Sequence, residues 1–409
     1  MPELFTVLPP ADALQVLLDH LAGQVRAEKI STADALGRVL AEPLSALSPL
    51  PAFPRSTMDG YAVRAADTFG ASESLPAYLS IVGEVAMGRA PEFTVGPAQT
   101  AVVYTGGMLP QGADAVVMVE RTQKLDAANI EVLRAVAPGE NVINVGEDVK
   151  EGESLLGLGH TLRPQDLGGL MALGMTQVTV AARPRVAIVS TGDEVVRPDQ
   201  VPGPGQVRDV NTTTVAGLVL RAGGIPLPQG IVQDRFEDLL AAAQVGLANA
   251  DVLVISAGSS VSTRDLTAQV VNRLGRPGVL VHGVSVKPGK PTILGVCDGK
   301  PALGLPGNPV SAMVVAGLFL VPVLRQLQGA KPSGHNCVTA RLTHNIASVP
   351  GREDYVQVRL VERDGQLWAD PVFGKSNLIY TLVKADGMLR VPLDSNGLHE
   401  GEWIQVELF

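Results

Sequence analysis

The stretch Val286–Val314 reads VKPGKPTILGVCDGKPALGLPGNPVSAMV. It opens with two lysines across a turn, Lys287-Pro-Gly-Lys290. Two short apolar runs follow, Pro291–Val296 and Pro301–Leu305, separated by Cys-Asp-Gly-Lys. Asp298-Gly299 between them is a strong hairpin signal. The chain then enters Leu305-Pro-Gly-Asn-Pro309, where the glycine allows close backbone approach and Pro309 suits a first helical turn. From Val310 the pattern predicts a long apolar helix. A strand edge, two cations and a helix N-terminus are thereby drawn together, and exposed amides at such a terminus favour anions. The protein has only nine lysines, so two of them three residues apart bear on function. On this stretch alone a hairpin with solvated lysines and an anion site both remain open.

Working outward, the preceding chain has a βαβα rhythm. Arg185–Gly192 reads as a buried strand, Thr212–Ala222 as a helix, Ile225–Val232 as a strand, Arg235–Asn249 as a helix and Asp251–Ser256 as a strand. This predicts a parallel sheet with helices on both faces. Ligands of such sheets sit beyond the carboxyl ends of the strands, so Ser190–Glu194, Ser256–Asp265 and Leu305–Pro309 should share one rim. After about Gln328 alternating runs, among them Val338–Asn345, Tyr355–Leu360 and Trp403–Leu408, predict a small β-barrel or sandwich.

Toward the N-terminus, Leu14, Leu17, Leu18, Leu21 and Val25 form a helical stripe over Ala11–Glu28. Ser31-Thr-Ala-Asp34 resembles a capping box for a second short helix. Proline-rich Leu47–Pro54 reads as an extended connector. From about Leu75 to Leu155 short alternating runs separated by glycine and proline turns predict a β module. A further short helix is expected over Arg163–Leu173. The expected plan is multidomain α/β plus β: a helical and extended arm (1–54 and 144–182), an inserted β module (55–143), an α/β domain (183–328) and a C-terminal β-barrel (329–409).

Composition narrows the function. The 409 residues carry a net charge of −9, which argues against nucleic acid as a partner, since that needs a basic footprint. The N-terminus lacks a signal-peptide pattern. The longest apolar run, Val310–Leu324, contains Pro322 and falls short of the ~20 residues of a membrane span. A cytoplasmic protein without a membrane partner is expected. Two cysteines far apart and six scattered histidines disfavour a zinc or iron–sulfur site. Any metal would be a hard cation held by carboxylates and phosphate oxygens. No P-loop, dinucleotide fingerprint or nucleophile elbow occurs. What remains are carboxylates in loops after strands: Asp193 and Glu194, and Asp265 after the small-residue loop Ser256-Ala-Gly-Ser-Ser-Val-Ser262, whose amides can cradle phosphate. Taken singly, Asp265 reads as a helix N-cap, Glu194 as a solvated helix start and Asp59-Gly60 as a turn. Their placement with Lys287 and Lys290 on one rim favours a site.

Six motifs then occur in order: Pro54-Arg-Ser-Thr-Met-Asp-Gly-Tyr-Ala62, Tyr104-Thr-Gly-Gly, Ser190-Thr-Gly-Asp-Glu194, Lys287-Pro-Gly-Lys-Pro291, Leu305-Pro-Gly-Asn-Pro309 and Asp386-Gly-Met-Leu-Arg-Val-Pro392. Over essentially its full length the chain resembles the bacterial MoeA family of molybdopterin molybdenumtransferases, also seen as the C-terminal half of gephyrin-like proteins. It departs from the family's S-G-G-V-S-V-G-x-x-D loop at Ala257, Ser259 and Ser262 and keeps Asp265. The resemblance implies four domains, a homodimer and Mg²⁺-dependent reaction of adenylylated molybdopterin with molybdate, giving molybdenum cofactor and AMP. It implies Glu194 and Asp265 near Mg²⁺, and Lys287 and Lys290 on phosphate or molybdate. Ser256, Gly258, Ser260 and the Pro306-Gly307-Asn308-Pro309 turn would bind substrate. Asp59 and Thr105 would complete the site from the β module, which the resemblance sets against the partner subunit. A molybdopterin adenylyltransferase and molybdoenzyme-maturation proteins are the further partners it brings into view. Two rival readings stand beside this one: a molybdopterin adenylyltransferase, which shares the fold of the α/β domain but not the three additional domains, and a non-catalytic gephyrin-like scaffold.

Overall fold

The computed structural model describes residues 7–21, 25–257, 261–332, 334 and 336–409, the side chains of 261–265 excepted. A six-stranded sheet organises the middle of the chain. Its order is Ile225–Val232, Arg185–Thr191, Val252–Ser256, Lys300–Leu305, Ile293–Cys297 and Pro277–His282. The first four strands are parallel and the last two antiparallel to their neighbours. The expected hairpin joins Ile293–Cys297 to Lys300–Leu305. Asp298 and Gly299 both take positive φ, 50° and 85°, the backbone of a two-residue primed turn.

Alternation along these strands builds two cores. Val186, Ile188, Val252 and Val254 face the helices Asn211–Arg221 and Pro309–Leu327. Ala187, Val189, Leu253 and Ile255 face Phe236–Asn249 and Val261–Leu274. Phe319 is fully buried in the first core, which contributes roughly 1.5–3 kcal/mol. Pro322 does not break its helix. The turn before it, Ala316–Leu320, widens to π geometry, accommodating the missing amide and the ring. This corrects the expected length: Pro309–Leu327 is one 19-residue helix of mean hydropathy 1.9, long and apolar enough to cross a membrane by those measures. Its buried side chains belong to the α/β core.

Closure is complete in the C-terminal barrel. Glu353–Arg363, Gln366–Pro371, Cys337–Leu342, Trp403–Leu408 and Gly387–Val391 pair in that order, and Gly387–Val391 pairs back onto Glu353–Arg363. Closing the sheet removes its edges. One extra pairing ties barrel to α/β unit: Val286–Lys287 runs parallel to Glu353–Asp354.

The N-terminal third differs from the expected helices. The first helix stops at Asp19 and packs on the α/β core through Ala13 and Leu17. Ala27–Ser31 is a strand paired with Gln177–Ala181, so tertiary pairing claims the last two residues of the expected helix, Ala27 and Glu28. Ser31 does cap, accepting from the Ala33 amide, but only a 3₁₀ turn, Thr32–Asp34. The later helix is Pro164–Ala172. Between these arms lies a six-stranded sheet in the order Ala115–Met118, Gly60–Val63, Gln99–Val103, Ala77–Glu84, Asn129–Val132, Thr122–Lys124. The chain enters and leaves it side by side, Arg55–Ser56 pairing antiparallel with Val142–Ile143.

Candidate functional site

The parallel strands of the α/β sheet place Ser190, Ser256 and Leu305 at one end, in register with one another, with Thr191 one residue further on. Ile293 sits at that same end because its strand runs the other way, pairing with Gly304. Lys290, just ahead of it, therefore joins the rim. Backbone bonds fix the lysine turn: the Val284 amide donates to the Lys290 carbonyl (2.9 Å) and the Thr292 hydroxyl to the Gly289 carbonyl (2.6 Å). Gly289 has φ +120°, and a Cβ there would lie 2.5 Å from Val315 Cγ2. Only glycine lets the turn seat against the core helix.

Between this rim and the barrel opens a cleft of about 1190 Å³. One wall holds the turn Lys287–Lys290 and the segment Pro306–Asn308; the other comes from Arg352, Asp354 and the loop Phe373–Asn377. Four cationic side chains line it, Lys287, Lys290, Arg352 and Lys375, against one carboxylate, Asp354. Asp354 is 3% exposed, so burial demands that its charge be paired. Arg352 donates to it through Nε (2.8 Å) and Nη2 (3.3 Å), and Lys287 Nζ lies 3.5 Å from Oδ2. Lys290 and Lys375 make no ion pair among the described residues. The cleft thus retains uncompensated positive charge inside an acidic protein. The residue starting the core helix, Asn308, turns its amide to Ser376 Oγ (3.0 Å) instead of capping its own helix, and the Val310 amide donates to the Ser376 carbonyl (3.1 Å). Tyr355 lies half-buried beside them, its phenol donating to Glu353 (2.8 Å). Burial first, then Glu353, push that phenol well above its ordinary pKa.

Along the rim, Asn211 couples two of the expected segments. It is 6% exposed, and its Nδ2 donates to Ser256 Oγ (2.8 Å) and to the Gly307 carbonyl (2.9 Å). Its helix is started by Asp209, whose carboxylate accepts from the amide and hydroxyl of Thr212. Farther along, Thr191 donates to Asp234 (2.6 Å), the Asp234 amide to Asp193 (3.3 Å), and Glu194 is half-buried.

Of the expected site residues, Lys287, Lys290, Pro306, Gly307 and Asn308 line one cleft, and Pro309 opens the helix behind it. Ser256 is joined to them through Asn211, and Glu194 lies at the end of a neighbouring strand. Gly258 and Ser260 lie outside the described residues, as does the Asp265 side chain. The backbone of Asp265 sits inside the helix Val261–Leu274, four residues past its start, so the expected N-cap role is corrected. Asp59 and Thr105 lie just outside the strands Gly60–Val63 and Gln99–Val103 of the other six-stranded sheet, and among the described residues no hydrogen bond links them to the cleft. They do bind each other: Asp59 Oδ1 accepts from the Thr105 amide (2.7 Å) and hydroxyl (2.8 Å). These bonds, the amide first, hold the exposed Asp59 carboxyl below its usual range. Gly60 next to it is required by close approach, since a Cβ would lie 2.0 Å from the Val117 carbonyl oxygen.

Arg352, Asp354, Lys375, Ser376 and Asn211 carry no motif of their own in the sequence. The barrel residues among them join the site only once Val286–Lys287 pairs with Glu353–Asp354, and Asn211 does so through its bonds to Ser256 and Gly307. As for a cation, no three His, Cys, Asp or Glu side chains cluster among the described residues. The carboxylates present suit an ion held by one or two of them and completed by substrate oxygens and water, as Mg²⁺ commonly is.

Three family models match the chain: MoeA N-terminal region (domain I and II) over residues 8–174, a probable molybdopterin binding domain over 187–326, and MoeA C-terminal region (domain IV) over 339–409. A molybdopterin molybdenumtransferase from Nostoc sp. is 34% identical over 98% of this chain and 93% of its own length. Its namesake from Bacillus subtilis is 31% identical over 100% and 95%. The chain belongs to the MoeA family. A crystal structure of the molybdopterin biosynthesis moeA protein from Pyrococcus horikoshii OT3 superposes with a TM-score of 0.86 at 32% identity, covering 99% of this chain and 100% of that one. Within this MoeA-family chain the cleft falls where the second matched region meets the third.

Proposed function

We propose that this chain is a molybdopterin molybdenumtransferase, a cytoplasmic homodimeric enzyme of molybdenum cofactor biosynthesis. It would insert molybdate into adenylylated molybdopterin and release AMP with the help of Mg²⁺. The observation that carries this reading is the cleft itself, with four cations against one buried carboxylate at the carboxyl rim of a parallel sheet. Both substrates are anions, and a positive, partly enclosed cleft concentrates and orients them. Lys287, Lys290, Arg352 and Lys375 would neutralise oxoanion charge. The amides after Ser256 (at Gly258 and Ser260) and the Pro306–Pro309 turn would hold the phosphate and pterin portions. Mg²⁺, held by Glu194 and Asp265, would offset charge at the phosphoanhydride. Burial first, then Asp298, push the Cys297 thiol up to about 11, so it rests as a neutral buried thiol at pH 7. On the family resemblance, the sulfur ligands of the incoming molybdenum would come from the dithiolene of the substrate.

Asp59, exposed and held as a carboxylate by Thr105, would enter the cleft of the partner subunit. The test is AMP release from adenylylated molybdopterin, with and without molybdate and divalent cation. Release only when both are present is expected; unchanged release in excess chelator would remove Mg²⁺ from the reading.

A further inference from the structure

Within the cleft wall one polar group has no use in the unliganded protein. Along the strand Glu353–Arg363 the side chains alternate. Val356 and Val358 pack into the barrel core, whereas Tyr355 packs outward against the α/β core. Gln357 shares the outward face, lines the cleft and is 6% exposed. Its main-chain carbonyl is satisfied by the Val372 amide (2.8 Å). Its side-chain Nε2 is buried with no partner. Among the described residues it is the one buried, unpartnered side-chain atom on a residue lining this cleft. Buried amide donors are nearly always bonded, and an orphan is costly enough to need an explanation.

We propose that Gln357 is a specificity-determining residue whose Nε2 donates a hydrogen bond to a tetrahedral oxoanion held in this cleft. The assignment rests on the cleft being the anion site proposed above. A neutral donor suits such a ligand. The lysines supply charge with little direction, the Arg352 Nε and Nη2 donors are turned on Asp354, and a fixed amide reads the position of one oxygen and adds no further charge. The oxoanion has two possible sources, free molybdate and the phosphoryl group of the nucleotide product.

The test compares wild type with Gln357→Met, which keeps the bulk and removes the donor, and with Gln357→Glu, which replaces it by an acceptor. Each protein is titrated calorimetrically with molybdate alone and with AMP alone, and its melting temperature is taken without ligand. Gln357→Met should melt at or above the wild-type temperature, because an orphan donor is gone. It should bind one of the two anions about tenfold or more weakly, as a lost hydrogen bond to a charged acceptor requires. Gln357→Glu should lose at least as much. Loss confined to molybdate identifies the free oxoanion, and loss confined to AMP identifies the phosphoryl group; either supports the assignment. Wild-type affinities for both anions in Gln357→Met would overturn it and leave the cleft reading standing. A lowered melting temperature with a parallel loss for both anions would make Gln357 wall packing and would also overturn it. A wild type that binds neither anion removes the anion cleft, and this residue's role with it.

Discussion

Replacing Gly289 by alanine places a methyl group where the backbone and the packing both refuse it. At φ +120° an L-residue is held in a region that costs about 1–3 kcal/mol. The added Cβ would meet Val315 Cγ2 at 2.5 Å and Val286 Cγ1 at 3.4 Å. Val315 is fully buried in the core helix, so it has little room to give, and overpacking of this kind costs about 1–3 kcal/mol more. If the strain stays in the folded protein, the sum of about 2–6 kcal/mol lowers the first melting transition by about 4–24 °C at roughly 2–4 °C per kcal/mol. If the turn instead lifts away from the helix, Lys287 loses its place beside Asp354 and turnover falls, by about tenfold or more for even a 1 Å misplacement. Melting by circular dichroism and the AMP-release assay read the two routes separately. Adding Val315→Ala should recover part of the loss, because it relieves the contact and leaves the dihedral strain. A Gly289→Ala protein with wild-type melting and wild-type turnover would refute the reasoning.

Thr105→Val removes the hydroxyl bond to Asp59 and keeps the amide bond. Asp59 titrates low because these donors favour its charged form, so the substitution raises its pKa toward the ordinary carboxylate value. Activity that needs the charged carboxylate is present above that pKa and lost below it, so the acid limb of the pH–rate profile should move to higher pH; an unmoved limb would detach Asp59 from the chemistry. Mixing Asp59→Asn and Asp265→Asn dimers tests the shared site. After verified subunit exchange, about half the dimers are hybrids with one intact site, so recovery of about a quarter of wild-type activity is expected, and no recovery would put both residues in one chain's site.

Local chemistry made much of the α/β unit legible. Asp298-Gly299 announces its turn because positive φ at both positions suits few residue pairs. Pro309 announces a helix start because its missing amide costs nothing there. The strand ends could be set on one rim because parallel connectivity leaves no other choice. The failures are equally physical. Ala27–Ser31 starts inside the tail of the stretch expected to be helical and yet pairs with Gln177–Ala181, a partner far away in sequence that no local window contains. Gln357 reads as part of an ordinary barrel strand, and Arg352 and Asp354 fall just ahead of the expected Tyr355–Leu360, because an exposed face and a cleft wall share one alternation until the facing unit is in place. The Asp386–Pro392 motif does not by itself announce the strand Gly387–Val391, which closes the barrel by pairing with Glu353–Arg363 and Trp403–Leu408.

The side-by-side crossing at Arg55–Ser56 and Val142–Ile143 has a kinetic consequence. The arm is built from pairs such as Ile30 with Val178, which close a very long loop if residues 57–141 are still unfolded. Loop closure grows costlier with the length of mobile chain. Once the intervening sheet has formed, its two ends stand next to each other, and the same pairs close a short loop. Assembly should therefore run from the inserted sheet outward, and a lesion in that sheet's core at Tyr61 or Ile130 would slow the arrival of an arm it does not touch.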